Sequence, residues 1–163
     1  MKRYTLTLKC LEIDKETPYG VFNLETANEI VSQINDKISL FGNVFGEFGH
    51  DYEIFDTSLS KASHAISGIR IEDNFIVCDF TILSTYCGKI LKEFIKPTEN
   101  RLLALNRDRL IESILYDKNY IPLKMEDLDV NLSQIQIVPR CLVQKTENIV
   151  NVQKFFTFDF KIK

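Results

Sequence analysis

The chain ends on Phe156-Thr157-Phe158-Asp159-Phe160-Lys161-Ile162, in which every second residue is large and apolar. A period of two is the mark of an extended strand, because successive side chains leave a pleated strand on opposite sides, whereas a helix would scatter these rings around its circumference. A strand is therefore expected from Gln153 to Lys163. The same alternation opens the chain, with Tyr4, Leu6 and Leu8 set against Thr5, Thr7 and Lys9, and predicts a strand over Tyr4 to Ile13. Further strands are expected at Ala65–Glu72, Phe75–Ser84 and Gln134–Val143. The Asp73-Asn74 pair between the second and third of these five suits a tight hairpin turn.

One segment keeps a different period. Ala27, Ile30, Val31, Ile34 and Ile38 recur at three- and four-residue spacing, so a helix follows the Pro18-Tyr19-Gly20 turn. Asn23 or Thr26 is placed to cap it, and Glu29, three residues after Thr26, would complete a capping box. A shorter helix is expected after Cys87-Gly88, with Ile90, Leu91, Phe94 and Ile95 on one face and Pro97 near its end. A third is suggested by Leu110, Ile111, Ile114 and Leu115, before Asp117 to Pro122 breaks it. Residues 42 to 50 hold Gly42, Gly46 and Gly49, half of the six glycines, and read as a loop or a bulged strand. Strands dominate, with about three helices packed on them, so the fold class is α+β with a mainly antiparallel sheet or barrel. At 163 residues without internal repeats, a single domain over 1–163 is expected.

Composition narrows the function. A net charge of −3, with Lys and Arg dispersed among Asp and Glu, offers no basic stripe for phosphates, so no nucleic acid is expected as a partner. No apolar run reaches the length of a membrane span, and the alternating start is unlike a signal peptide, so a soluble protein, intracellular when made, with no membrane partner is expected. Cys10, Cys78, Cys87 and Cys141 form no CxxC pair, and three of the four lie in apolar runs, where a reduced thiol packs as a small hydrophobe. The two histidines are not spaced with the cysteines, and the acidic run Glu126-Asp127-Leu128-Asp129 lacks the ligand spacing of a calcium loop. No metal and no cofactor are expected; proteins are the natural partners.

The order of three short blocks is informative: Gly46-Glu47-Phe48-Gly49-His50, then Ser63-His64-Ala65-Ile66, then Ser84-Thr85-Tyr86-Cys87-Gly88-Lys89-Ile90-Leu91. Together with Ile137-Val138-Pro139-Arg140-Cys141-Leu142 and Phe156-Thr157-Phe158-Asp159-Phe160, they resemble the segments of tailed-phage prohead proteases, relatives of herpesvirus assemblin. The likeness spans residues 44 to 95 and 134 to 163 and implies the prohead-protease fold. It puts His50 in the place of the general base and Arg140 in that of the arginine beside the oxyanion. A serine protease needs a hydroxyl nucleophile as well. Before Arg140 stand Val138 and Pro139, which supply none; the other alignment, Leu103-Ala104-Leu105-Asn106-Arg107, has Asn106 there. Cys141, as a thiolate activated by His50, lies beyond Arg140 and is expected to pack instead. His50, His64 and Arg140 are thus candidates for vestiges of a site. On the plainer reading His50 is a loop residue bonded to a backbone group, between Glu47 and Asp51 on a charged surface, and His64 supports a turn through Ser63.

The resemblance then implies a non-enzymatic capsid auxiliary, a decoration protein located on the virion capsid. Its partners would be the major capsid protein and other virion proteins, with a trimer as the candidate homo-oligomer. The alternatives are a prohead maturation protease with an unrecognised nucleophile, or a transient scaffold or assembly factor. Residues 98 to 131 form an elaborated segment beyond the family core. There Tyr116, Tyr120, Ile121 and Pro122 have the composition of interface anchors, or else cover one end of the sheet.

Overall fold

The structure, a computed structural model, describes residues 4–50, 55–95 and 135–163. Two four-stranded sheets carry it. The first has β1 (Tyr4–Glu12), β6 (Phe75–Ile82), β5 (Ala62–Glu72) and β4 (Val44–Glu47) side by side in that order, every neighbour antiparallel. The second runs β2 (Glu16–Thr17), β3 (Gly20–Val21), β8 (Ile149–Ile162) and β7 (Ile135–Thr146), antiparallel except where β3 meets β8. The sheets meet where Phe48 pairs with Phe160 and the Gly49 N–H donates to the Phe160 carbonyl at 2.9 Å. The α+β class with mainly antiparallel strands is as the sequence implies.

Two of the hairpins turn on paired left-handed residues. Asp73 and Asn74 take φ of 47° and 67°, as a two-residue turn between right-twisted strands requires. Glu147 and Asn148 do the same at 50° and 69°, joining β7 to β8. That second turn was not anticipated, and it extends both final strands beyond their expected ends.

The long helix α1 (Leu24–Phe41) buries Ala27, Ile30 and Ile34 and packs on β5 and β8. Of the two expected caps, Asn23 acts: its side chain accepts from the Thr26 N–H at 2.9 Å. Thr26 instead donates its hydroxyl to the Val150 carbonyl at 2.6 Å, tying the helix to β8, while Glu29 bonds Gln33, so the capping box does not form. Gly42 ends α1 at φ 85°, its N–H returning to Ile38 O. The short helix α2 (Tyr86–Ile95) packs Ile90, Leu91 and Phe94 against β5 and β6, and a 3-10 turn spans Leu59–Lys61. These are the two α-helices among the described residues; the third expected helix, the alternative alignment around Asn106, the 98–131 elaboration and the anchors Tyr116, Tyr120, Ile121 and Pro122 lie outside them.

The core between sheets and helices holds Phe22, Phe80, Phe155, Phe158 and Phe160 with Ile30, Ile34, Ile66 and Ile76. In β8 the alternation has an unexpected sequel. Phe158 and Phe160 are buried as expected, but Thr157 and Asp159 on the opposite face are buried too. What covers that second face is the candidate site.

Candidate active site

Four ionisable side chains meet beneath β4 and β8: Glu47, His50, Arg140 and Asp159, of which none is more than 7% exposed. Local chain geometry brings them together. β4 carries a register shift between Gly46 and Glu47, and Gly49, at φ 76°, reverses the chain so that His50 returns to Glu47. The His50 Nδ1–H donates to Glu47 Oε2 at 2.6 Å. The same carboxylate oxygen accepts the Ser58 N–H at 3.1 Å. His50 is thus held by a buried carboxylate, and Glu47 is no member of a charged surface loop, because the chain folds inward after β4.

On β7 and β8, Arg140 faces Thr157 across the ladder and reaches Asp159 diagonally on the same face. Its Nε donates to Asp159 Oδ2 at 2.9 Å and Nη2 to Oδ1 at 2.7 Å, a two-pronged pair. Nη1 donates to the Phe55 carbonyl and to Thr57 Oγ1, each at 2.9 Å. Nη2 also lies 3.8 Å from Glu47 Oε2, and Asp159 Oδ1 accepts the Glu47 N–H at 2.9 Å. Arginine has five N–H donors. Four are therefore committed to protein acceptors. The guanidinium clamps three segments together: β4, the chain at 55–57 and β8.

His64 sits elsewhere in the design, on β5 and not in a turn, which corrects the expected role. Its ring is fully buried between Phe80 and Phe160, edge-on to both at centroid distances of 5.6 and 4.7 Å. Nε2 must donate to the Phe158 carbonyl, 2.7 Å away, because a carbonyl only accepts. In the neutral ring Nδ1 is then the acceptor, and the Ser63 hydroxyl donates to it at 2.8 Å. Burial, the largest influence, lowers the His64 pKa from 6.5 to about 4, so the ring is neutral at pH 7. A hydroxyl donating to an imidazole imitates a nucleophile and its base, yet both groups have no exposed surface and no substrate reaches them. The ring also explains Gly46: a Cβ there would collide with the His64 imidazole and lie 2.8 Å from the Phe158 carbonyl oxygen.

The structure therefore brings His50 and Arg140 into one cluster through Glu47 and leaves His64 as a packed core residue. Sequence reasoning placed Glu47 beside His50 on a charged surface and missed Asp159 as a partner of Arg140. The available signal was an aspartate set between two buried phenylalanines, since a charge in a buried strand demands a partner. Cys141 is half-buried, and burial pushes its thiol up to about 11, which starves it of thiolate at neutral pH. Among the described residues no three or more metal-ligating side chains gather, and no helix is long and apolar enough to cross a membrane.

No family model matches the chain, and no curated protein matches it in sequence. Solved structures match it in fold. One such match is the bacteriophage T4 capsid assembly protease, gp21, with a TM-score of 0.60 over 98% of this chain and 82% of that one at 10% sequence identity. The prohead-protease-like fold implied by the short blocks is thus supported, at an identity where only the fold is shared.

Proposed function

We propose that the chain is a non-enzymatic capsid protein built on the prohead-protease fold, a decoration protein that binds the major capsid protein of a phage. The observation that carries this reading is the Arg140 guanidinium. An arginine that stabilises an oxyanion must aim open N–H donors at the reacting carbonyl. Here four of five are turned inward, on Asp159, Phe55 and Thr57, at 3% exposure. Val138 and Pro139 before it, and the poorly ionised thiol of Cys141 after it, support the same conclusion. The residues of a catalytic site have become the struts of a fold. The T4 neighbour that shares the fold is a capsid assembly protease, which supports a place for this chain at the capsid.

A second reading has one observation in its favour. The His50–Glu47 bond at 2.6 Å is the orientation a hydrolase gives its base, so a maturation protease would need only a nucleophile from elsewhere in the chain. Labelling with a fluorophosphonate and with a thiol-directed probe separates the two. The decoration reading expects no labelling that depends on His50; labelling lost in His50→Ala would overturn it. The segment 98–131 belongs to the same proposal as a capsid or subunit contact, a trimer being the candidate assembly. Replacing Tyr116 and Tyr120 by serine should abolish assembly on capsids at unchanged stability. Loss of both together, or of neither, would remove the segment from the interface.

A further inference from the structure

Beside the clamp lies a cleft of about 360 Å³ between the end of α1, β4, the 55–59 chain and β8, lined by three exposed large apolar side chains, Phe41, Phe55 and Leu59. Phe41 is 75% exposed, Leu59 71% and Phe55 48%, and Leu40 beside Phe41 is 76% exposed. Single exposed apolar residues are ordinary, but several on one rim mark a contact surface. Phe156 forms part of the wall, stacked on Phe55 at 5.7 Å between centroids.

Two lysines flank the Phe156 wall of the cleft. The Lys37 ammonium lies 5.7 Å and the Lys154 ammonium 5.1 Å from the Phe156 centroid. Lys37 spends donors on the Phe155 and Phe156 carbonyls at 2.6 and 3.2 Å, fixing its charge at the edge of the cleft. Burial, then the neighbouring Lys154 and Arg140 charges, hold its pKa below the ordinary lysine value. Among the described residues that line the cleft, Lys37 is the one base and Asp56 the one acid. A ligand that brings a negative charge here relieves repulsion between cations as well as gaining attraction.

We propose that this cleft docks a short peptide segment of a partner protein, one that sets a bulky apolar side chain between Phe41, Phe55 and Leu59 and a neighbouring carboxylate against Lys37 and Lys154. Apolar walls with a few charged groups at the edge are the build of a peptide site, whereas a nucleic-acid groove needs a longer basic track than two lysines on a chain of net charge −3. The cleft serves this purpose whether or not the chain resides on a capsid.

The probe is a random peptide library, selected on the full chain and followed by titration of the enriched peptides. Enriched peptides should pair an aromatic or branched apolar residue with Asp or Glu. Their affinity should fall about tenfold or more in the double variant Phe41→Ser, Leu59→Ser and in Lys154→Glu, both at exposed positions and both with unchanged melting temperature. Lys154→Glu keeps the test decisive if the apolar variant fails to fold. Four results would overturn the proposal: no such enrichment; equal binding to the variants; self-association that Lys154→Glu abolishes, which makes a second copy the occupant; or preferential binding of single-stranded oligonucleotides at the cleft. A benzophenone side chain at position 41 reports the occupant directly. Cross-linking to the peptide supports the proposal, and cross-linking within the chain contradicts it.

Discussion

Replacing Arg140 by leucine should unfold a large part of what holds the two sheets together. The substitution removes four hydrogen bonds and leaves the Asp159 carboxylate, with no exposed surface, facing a buried Glu47 with no cation between them. Removing one partner of a buried ion pair costs about 3–5 kcal/mol, most of it from stranding the other charge. A domain of this size is stable by about 5–15 kcal/mol, so the variant loses from about a fifth to all of its margin. Urea unfolding at neutral pH, followed by circular dichroism, measures this for Arg140→Leu, Asp159→Leu and the double variant. The double should cost at least about 2 kcal/mol less than the two singles summed, because it strands neither charge. Arg140→Lys should recover only part of the loss, since an ammonium lacks the planar fork that grips Asp159 at two points. A cost below about 1 kcal/mol for Arg140→Leu, or additive singles, would show that the guanidinium is not a clamp and would reopen its role toward substrate.

Three other perturbations test neighbouring parts of the fold. Phe158→Ala empties a fully buried site in β8 and should cost about 3–5 kcal/mol in the same assay; under about 1 kcal/mol would mean the ring is not in the core. Gly46→Ala drives a methyl into His64 and the Phe158 carbonyl and should give insoluble or strongly destabilised protein, against unchanged behaviour if the ring has room to move. Because the folded His64 value of about 4 lies below the unfolded 6.5, the folded state binds fewer protons between them. Its contribution is whole above pH 6.5 and falls away toward pH 4, by about 3 kcal/mol. His64→Gln, which cannot titrate, should therefore show a flatter pH dependence over that range, and an identical slope would contradict the assignment.

Much of the fold was legible because burial on one face leaves a period in the sequence. The α1 stripe, the opening strand and the Asp73-Asn74 hairpin each follow from local pattern and turn chemistry. The candidate site was harder to read for a physical reason. Asp159 and Thr157 look like the wet face of β8, and only the inward path of residues 47–50 and the Arg140 clamp make that face a second interior. Polar residues buried by a partner distant in sequence carry the same local pattern as solvated ones. For Gly46 the signal was visible but its cause was not, since the clash partner, His64, lies across the β4–β5 ladder.

The protein content of purified mature particles, measured by quantitative mass spectrometry, decides most directly whether the chain is a resident of the capsid and not a working protease. A decoration protein should be present full-length and uncleaved, in constant ratio to the major capsid protein. Its absence from mature particles, or its recovery only as fragments cut during maturation, would contradict that role.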